Sequence, residues 1–96
     1  MSSIIETYVQ NLDSKAKGAI QGTAKLVVLN EGSVMLDENG ARAGDEDADV
    51  VLIANDEVFR DILSGDQNPV TAFMSGKLKV EGNSQRALKV SAILTA

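Results

Sequence analysis

Between Thr23 and Ala54 the chain consists of β-branched and aliphatic runs separated by short Asn/Gly turns, with no helical period between them. Thr23 to Leu29 reads as a strand, Asn30-Glu31-Gly32 as a turn, and Ser33 to Asp37 as the hairpin partner. Glu38-Asn39-Gly40 turns again into a short strand near Ala41 to Ala43, and Asp49 to Ala54 is a further strand. Strands that follow one another without crossover helices pair side by side in opposite directions. This segment therefore commits the chain to a largely antiparallel sheet, and whatever helices exist must come from the flanks.

Both flanks supply them. Ser3 followed by Glu6 is a capping-box pattern, and Ile4, Ile5, Tyr8, Val9 and Leu12 recur at helical spacing, which predicts an amphipathic helix over residues 3–17. After the last central strand, Asp56 and Glu57 suit a helix start, where the macrodipole favours negative charge. Val58, Phe59, Ile62 and Leu63 form its apolar face, and Gly65 offers a left-handed end. Asn68 and Pro69 restart a helix as cap and first residue, with Val70, Phe73 and Met74 facing one way and Gly76 ending it. Lys77 to Glu81 alternates as a half-buried strand should, with Leu78 and Val80 on one side. Asn83 then caps a final helix through Thr95. The fold class expected is α+β, and 96 residues form one domain spanning 1–96 with a single core.

Composition removes several function classes. Fourteen acids stand against nine bases, for a net charge of −5, and Lys and Arg form no cluster. Nucleic acid is a poor partner for such a chain, and the same count disfavours docking on an anionic membrane. No apolar stretch approaches the roughly 20 residues needed to cross a bilayer, so stable membrane insertion is not expected. Met1 to Glu6 lack the basic start and apolar run of a secretory signal, and Leu94-Thr95-Ala96 is not a peroxisomal address. A cytoplasmic location is the expectation.

The chain has no His and no Cys, which eliminates a Ser-His-Asp triad, a Cys-His pair and an ordinary zinc site. Acid–base work would fall to carboxylates, lysines or Tyr8, and most acids sit in turns or at helix starts, where charge is solvated. Asp45, Asp47, Asp49 and Asp56 fall at the first, third, fifth and twelfth places of an EF-hand loop. The sixth place needs Gly for a sharp turn but holds Val50, so a solvated loop is the better reading. No phosphate-cradling glycine motif is present. The expectation is no enzyme, no catalytic residue, no metal and no cofactor.

The final helix carries Ala87, Leu88, Val90, Ala92, Ile93 and Leu94 around most of its circumference. A helix covered on one side shows a narrower stripe. Either it is buried on both sides, or part of it meets a ligand or a partner chain.

The run Ala48-Asp49-Val50-Val51-Leu52-Ile53, then Phe59 and Ser64-Gly65, resembles the sterol carrier protein 2 family. So do Asn68-Pro69, Ala72-Phe73-Met74-Ser75-Gly76-Lys77-Leu78-Lys79-Val80 and Gly82-Asn83, which keep the order and spacing of the family's elements. The likeness covers about residues 48–90, and the first half agrees in its helix-then-hairpin plan. It departs after Asn83, where Ser84-Gln85-Arg86 replaces the family's usual Met-Gly and leucine. The first helix also mixes Glu6 and Asp13 with Lys15 and Lys17, where the family's is often basic and meets membranes.

The resemblance implies a five-stranded, mostly antiparallel sheet with helices covering one face and a hydrophobic tunnel between the layers. It also implies binding, and in some members transfer or presentation, of a fatty acyl chain, a sterol or isoprenoid, or a phospholipid. The wall residues expected are Phe59, Ile62 and Leu63, Phe73 and Met74, Leu78 and Val80, closed by Leu88, Ala92 and Ile93. For each of these, dry core packing is an equal alternative. The partner expected is a hydrophobic small molecule. The rival reading is an accessory subunit whose apolar last helix docks on itself, as a homodimer, or on a lipid-metabolising or quinone-biosynthesis enzyme.

Overall fold

A computed structural model describes residues 3–20 and 22–94, with side chains from residue 4. The element order is α1 (Ser3–Ala16), β1 (Ala24–Val28), β2 (Gly32–Asp37), β3 (Gly40–Ala43), β4 (Val50–Ala54), α2 (Asp56–Ser64), α3 (Pro69–Met74), β5 (Lys79–Gly82) and α4 (Ser84–Leu94). The expected capping box rests on the Ser3 side chain, and the expected extension of α4 to Thr95 on that residue; both lie outside what is described.

The strands form one sheet in the order β3-β2-β1-β4-β5. Three pairings are antiparallel, but the central pair is parallel: Ala24 lies beside Val50 and Val28 beside Ala54. The crossover that parallel strands require is made by the β2–β3 hairpin and the loop after it, not by a helix. Thr23 and Asp49 set the start of that pair. The Thr23 amide donates to Asp49 Oδ2 at 3.2 Å, and the Asp49 amide donates to Thr23 Oγ1 at 3.2 Å and to Thr23 O at 3.1 Å.

Pleating sends alternate residues to opposite faces. Ala24, Leu26 and Val28, with Val34 and Leu36, and Val50, Leu52 and Ala54, all fall on the inner face and are buried. α1 lies over β2 and β3, placing Ile5, Tyr8, Leu12 and Ala16 on this face, while α4 lies over β4 and β5. The outer face is partly covered by the acidic loop after β3. Its Asp45 pairs with Lys25 at 2.9 Å and its Glu46 with Arg42 at 3.3 Å, and Met35 is buried.

The acids singled out for an EF-hand test are therefore dispersed. Asp45 meets Lys25, Asp49 meets Arg86 and Thr23, and Asp56 meets Tyr8 and Arg60. Arg42 also binds Asp37 at 2.6 Å; its guanidinium, with the Asn39 amide, holds the Asp37 carboxyl below its ordinary 3.8.

Candidate functional site

The inner face ends at its β5 edge in an apolar groove of about 270 Å³. β5 supplies the floor. Val80 pairs with Leu52 and so continues the buried face of the sheet, but among the described residues no strand lies beyond it. Leu78, just before the strand, is buried. It is held there because the amides of Lys77 and Leu78 both donate to Ala72 O, at 2.9 and 3.1 Å, folding the chain back from α3. That turn takes residues 77 and 78 out of the strand expected from their alternation.

α3 builds one wall. Asn68 Oδ1 accepts from the amides of Val70 and Thr71 at 2.8 and 3.2 Å, and Pro69 occupies the first turn, where a missing N–H costs nothing. The helix buries Ala72 and turns Val70, Phe73 and Met74 outward, at i, i+3 and i+4. These three line the groove with Pro69. Met74 is 80% exposed, so the groove is open along this side.

α4 builds the facing wall. Asn83 Oδ1 caps the amides of Gln85 and Arg86 at 2.9 and 3.2 Å, fixing the helix start against the end of β5. Ser84, Ala87, Leu88 and Ser91 then fall at i, i+3, i+4 and i+7 and line the groove. Ser91 is the buried polar residue of this wall; its hydroxyl donates to Ala87 O at 2.9 Å, so its burial leaves no donor unsatisfied. Ala87, Val90 and Leu94 pack into the core, leaving Leu88 half-exposed at the rim.

Of the ten expected wall residues, the structure brings Phe73, Met74, Leu78, Val80 and Leu88 together around this groove. Phe59 and Ile62, each 1% exposed, lie in the core, Phe59 against Tyr8 of α1. Leu63 is half-buried in a shallow depression with Thr7, Asn11 and Arg60, between α1 and α2. Ala92 is exposed and Ile93 half-buried, and neither lines the groove. Sequence reasoning missed Pro69, Ser84, Ala87 and Ser91 as lining, and left Val70 out of the wall although it shares a face with Phe73. The usable signal was the spacing from Ser84, obscured because two members of that stripe are serines.

No ionisable side chain lines the groove among the described residues. The arrangement can remove apolar surface from water and offer hydroxyl oxygens, but it holds no acid, base or nucleophile poised for proton transfer. Tyr8, the one phenol, is committed elsewhere. It is buried, meets Phe59 edge-to-face at 6.2 Å and donates to Asp56 Oδ1 at 2.7 Å. Burial, followed by that hydrogen bond, pushes its pKa up from the ordinary value, away from what a base at neutral pH needs.

The SCP-2 sterol transfer family matches residues 6–95 of the chain. A fatty acid-binding protein of Yarrowia lipolytica is 37% identical over 69 residues, covering 72% of this chain and 51% of the relative. The hydroxysteroid dehydrogenase-like protein 2 of Xenopus laevis is 32% identical over 93 residues, covering 88% of this chain and 22% of the relative. The chain thus spans about half of the first relative and about a fifth of the second.

Among solved structures, the apo form of sterol carrier protein 2 from Yarrowia lipolytica superposes with a TM-score of 0.70 at 28% identity, covering 96% of this chain and 84% of that one. A sterol carrier protein domain of Helicoverpa armigera gives 0.67 at 27% identity, with 96% and 80% covered. The five-stranded mixed sheet and its helices are those of these neighbours. No helix among the described residues is long and apolar enough to cross a membrane.

Proposed function

The chain belongs to the SCP-2 sterol transfer family, and from that premise we propose that residues 1–96 are one non-catalytic domain that holds a lipid-like molecule in the α3/β5/α4 groove. The observation that carries this reading is the groove itself: an apolar recess at the sheet edge, bounded by two capped helices and free of charge. A fatty acyl chain, a sterol or isoprenoid, or one chain of a phospholipid fits that chemistry. The name of the Yarrowia relative agrees with the first of these, and the family description with the second. The proposed contact residues are Phe73, Met74, Leu78, Val80 and Leu88, joined by Val70 and Ala87. Phe59 and Ile62 support the groove from the core. Leu63, Ala92 and Ile93 have no part in it.

A non-enzymatic role is supported by the absence of His and Cys and by the commitment of Tyr8 to Asp56. The accessory-subunit alternative is not favoured. α4 turns Ala87, Leu88, Val90, Ile93 and Leu94 to the core or the groove and leaves only the small Ala92 of that set exposed, so most of the apolar circumference that suggested a docking helix has other uses. A cytoplasmic location remains part of the proposal, to be checked by imaging the tagged protein.

The test is organic extraction of the purified protein followed by mass spectrometry, with titration of a fluorescent long-chain fatty acid into the extracted protein. Recovery of a lipid at near-equal stoichiometry, displaced by the probe, is the expected result. An extract containing no lipid, together with no probe binding at micromolar concentrations, would sink the proposal.

A further inference from the structure

The chain has no cysteine, so all of its sulfur is thioether. Two of its methionines are described, and they stand at opposite extremes. Met35, in β2, is 1% exposed, whereas Met74, the last residue of α3, is 80% exposed. Exposure alone would make Met74 an incidental target for oxidants. Its position gives oxidation a consequence, because Met74 forms one wall of the lipid groove with Val70 and Phe73, across from Leu88. Those three neighbours are hydrocarbons, which a mild peroxide leaves untouched. Among the described residues, Met74 is thus the groove residue whose polarity a two-electron oxidant can change.

We propose that Met74 is a reversible oxidation site, at which a hydroperoxide converts the thioether to a sulfoxide and so lowers the affinity of the groove for its lipid. The proposal rests on the groove reading above and adds a means of regulating it. The Met74 sulfur attacks one oxygen of the peroxide, the O–O bond breaks and an S–O bond forms. Sulfur is oxidised by two electrons. The peroxide is reduced to water, or an organic hydroperoxide to its alcohol, and the proton on the transferred oxygen passes to the departing one. The chain has no thiol to reverse this step. Reversal falls to methionine sulfoxide reductases, one for each epimer, which the exposure of Met74 admits.

In the free protein, water solvates the sulfoxide oxygen. A lipid seated against Met74 displaces that water, and the groove offers little in return. Its lining has no side-chain amide, guanidinium or ammonium group, and the Ser91 proton already goes to Ala87 O. Among the described lining residues, the hydroxyl of Ser84, at the exposed start of α4, is the donor that remains. Burying a poorly partnered polar group where an apolar one stood should weaken binding by about tenfold. The fold should tolerate the change. Met74 lies outside the core, and the turn after α3 is held by backbone bonds from Ser75 to Thr71 and from Lys77 and Leu78 to Ala72. The coupling also runs in reverse: a bound lipid covers the sulfur, so an occupied groove should oxidise more slowly than an empty one.

The test treats the full chain with hydrogen peroxide, removes the oxidant, locates the added oxygen by peptide mass mapping and titrates a fluorescent long-chain fatty acid into the product. Circular dichroism follows the fold. Met74 should gain oxygen before Met35 does, with the spectrum unchanged and probe affinity lowered by about tenfold. Both reductases, supplied with a dithiol, should restore that affinity, and saturation with an unlabelled saturated fatty acid before treatment should slow the oxidation of Met74. In Met74→Leu the affinity, whatever its starting value, should be the same before and after peroxide, and Met74→Gln should bind as weakly as the oxidised chain without any treatment. The proposal is overturned if sulfoxide at Met74 leaves probe affinity unchanged, a result under which the groove reading stands. It is equally overturned if Met74→Leu loses affinity on treatment as the native chain does, or if affinity falls only as the circular dichroism signal is lost. An untreated native chain that binds no probe would overturn the groove reading and this proposal together.

Discussion

The groove and the core beneath it separate under alanine substitution. Leu88 and Phe73 stand on facing walls, 49% and 46% exposed without a ligand. Burying a whole Leu or Phe side chain is worth about 1.5–3 kcal/mol. Covering the exposed half of either with a lipid should therefore contribute about 1 kcal/mol, or about fivefold in Kd. Leu88→Ala and Phe73→Ala should each weaken binding of a fluorescent fatty acid by about that factor. The double variant should lose about 30-fold if the two effects add. The folding cost should be small, because the same residues are only half-buried in the free protein and Ala suits a helix.

Phe59 and Ile62, at 1% exposure, should behave in the opposite way. Phe59→Ala should cost about 3–5 kcal/mol and Ile62→Ala about 2–5 kcal/mol, large fractions of a small domain's total stability. Urea denaturation followed by circular dichroism, with probe titration on each variant, measures both quantities. A folded Leu88/Phe73 double variant that binds within twofold of the native protein would refute the assignment of the groove. So would binding losses that merely track stability across all four substitutions.

Three further substitutions test the frame. The raised Tyr8 pKa means that the folded protein keeps a proton which the unfolded chain releases near pH 10, so this contribution to stability is present below pH 10 and lost as pH rises beyond it. Tyr8→Phe should flatten that alkaline decline in urea titrations and cost about 1 kcal/mol at neutral pH through the lost bond to Asp56; an unchanged alkaline slope would count against it. Gly82, at φ 93°, lies where a Cβ would strike Asp49 O and approach Val50 Cα, whereas a Cβ at Gly65, at φ 88°, meets nothing. Gly65→Ala should cost about 1–3 kcal/mol from backbone strain alone and Gly82→Ala clearly more, read as a larger fall in melting temperature.

Local signals carried most of the architecture. Turn glycines, asparagine caps and alternating apolar residues act over a few positions, and the elements they predict were found within two or three residues of their expected ends. The parallel pairing of β1 with β4 was not legible. It depends on a contact between Thr23 and Asp49, 26 positions apart, and on a crossover made by a hairpin where the usual device is a helix. For the site, periodicity identified apolar faces but not which face each would meet. Phe59 and Phe73 follow similar patterns in α2 and α3, yet one is buried in the core and the other lines the groove. That difference is decided by the turn that folds Lys77 and Leu78 back onto Ala72, a three-dimensional contact with no local signature. Ser91 was passed over because a serine reads as solvated until its bond to Ala87 is seen.

The parallel central pair also has a kinetic meaning. β1, β2 and β3 are hairpin neighbours and can pair as soon as each turn closes, whereas β4 must return across the whole hairpin to reach β1. Long-range pairing of this kind is slow because loop closure precedes any gain from contact. β5 can join only after β4 is in place, and α3 and α4 assemble around β5. The groove wall is therefore the last part of the molecule to assemble and, by the same hierarchy of contacts, among the first to come apart. In hydrogen exchange the amides of β1 and β4 should be protected to near the global unfolding free energy, while those of the six-residue α3 open at a fraction of it. Cargo can then enter or leave by brief loosening of α3 while the sheet stays intact.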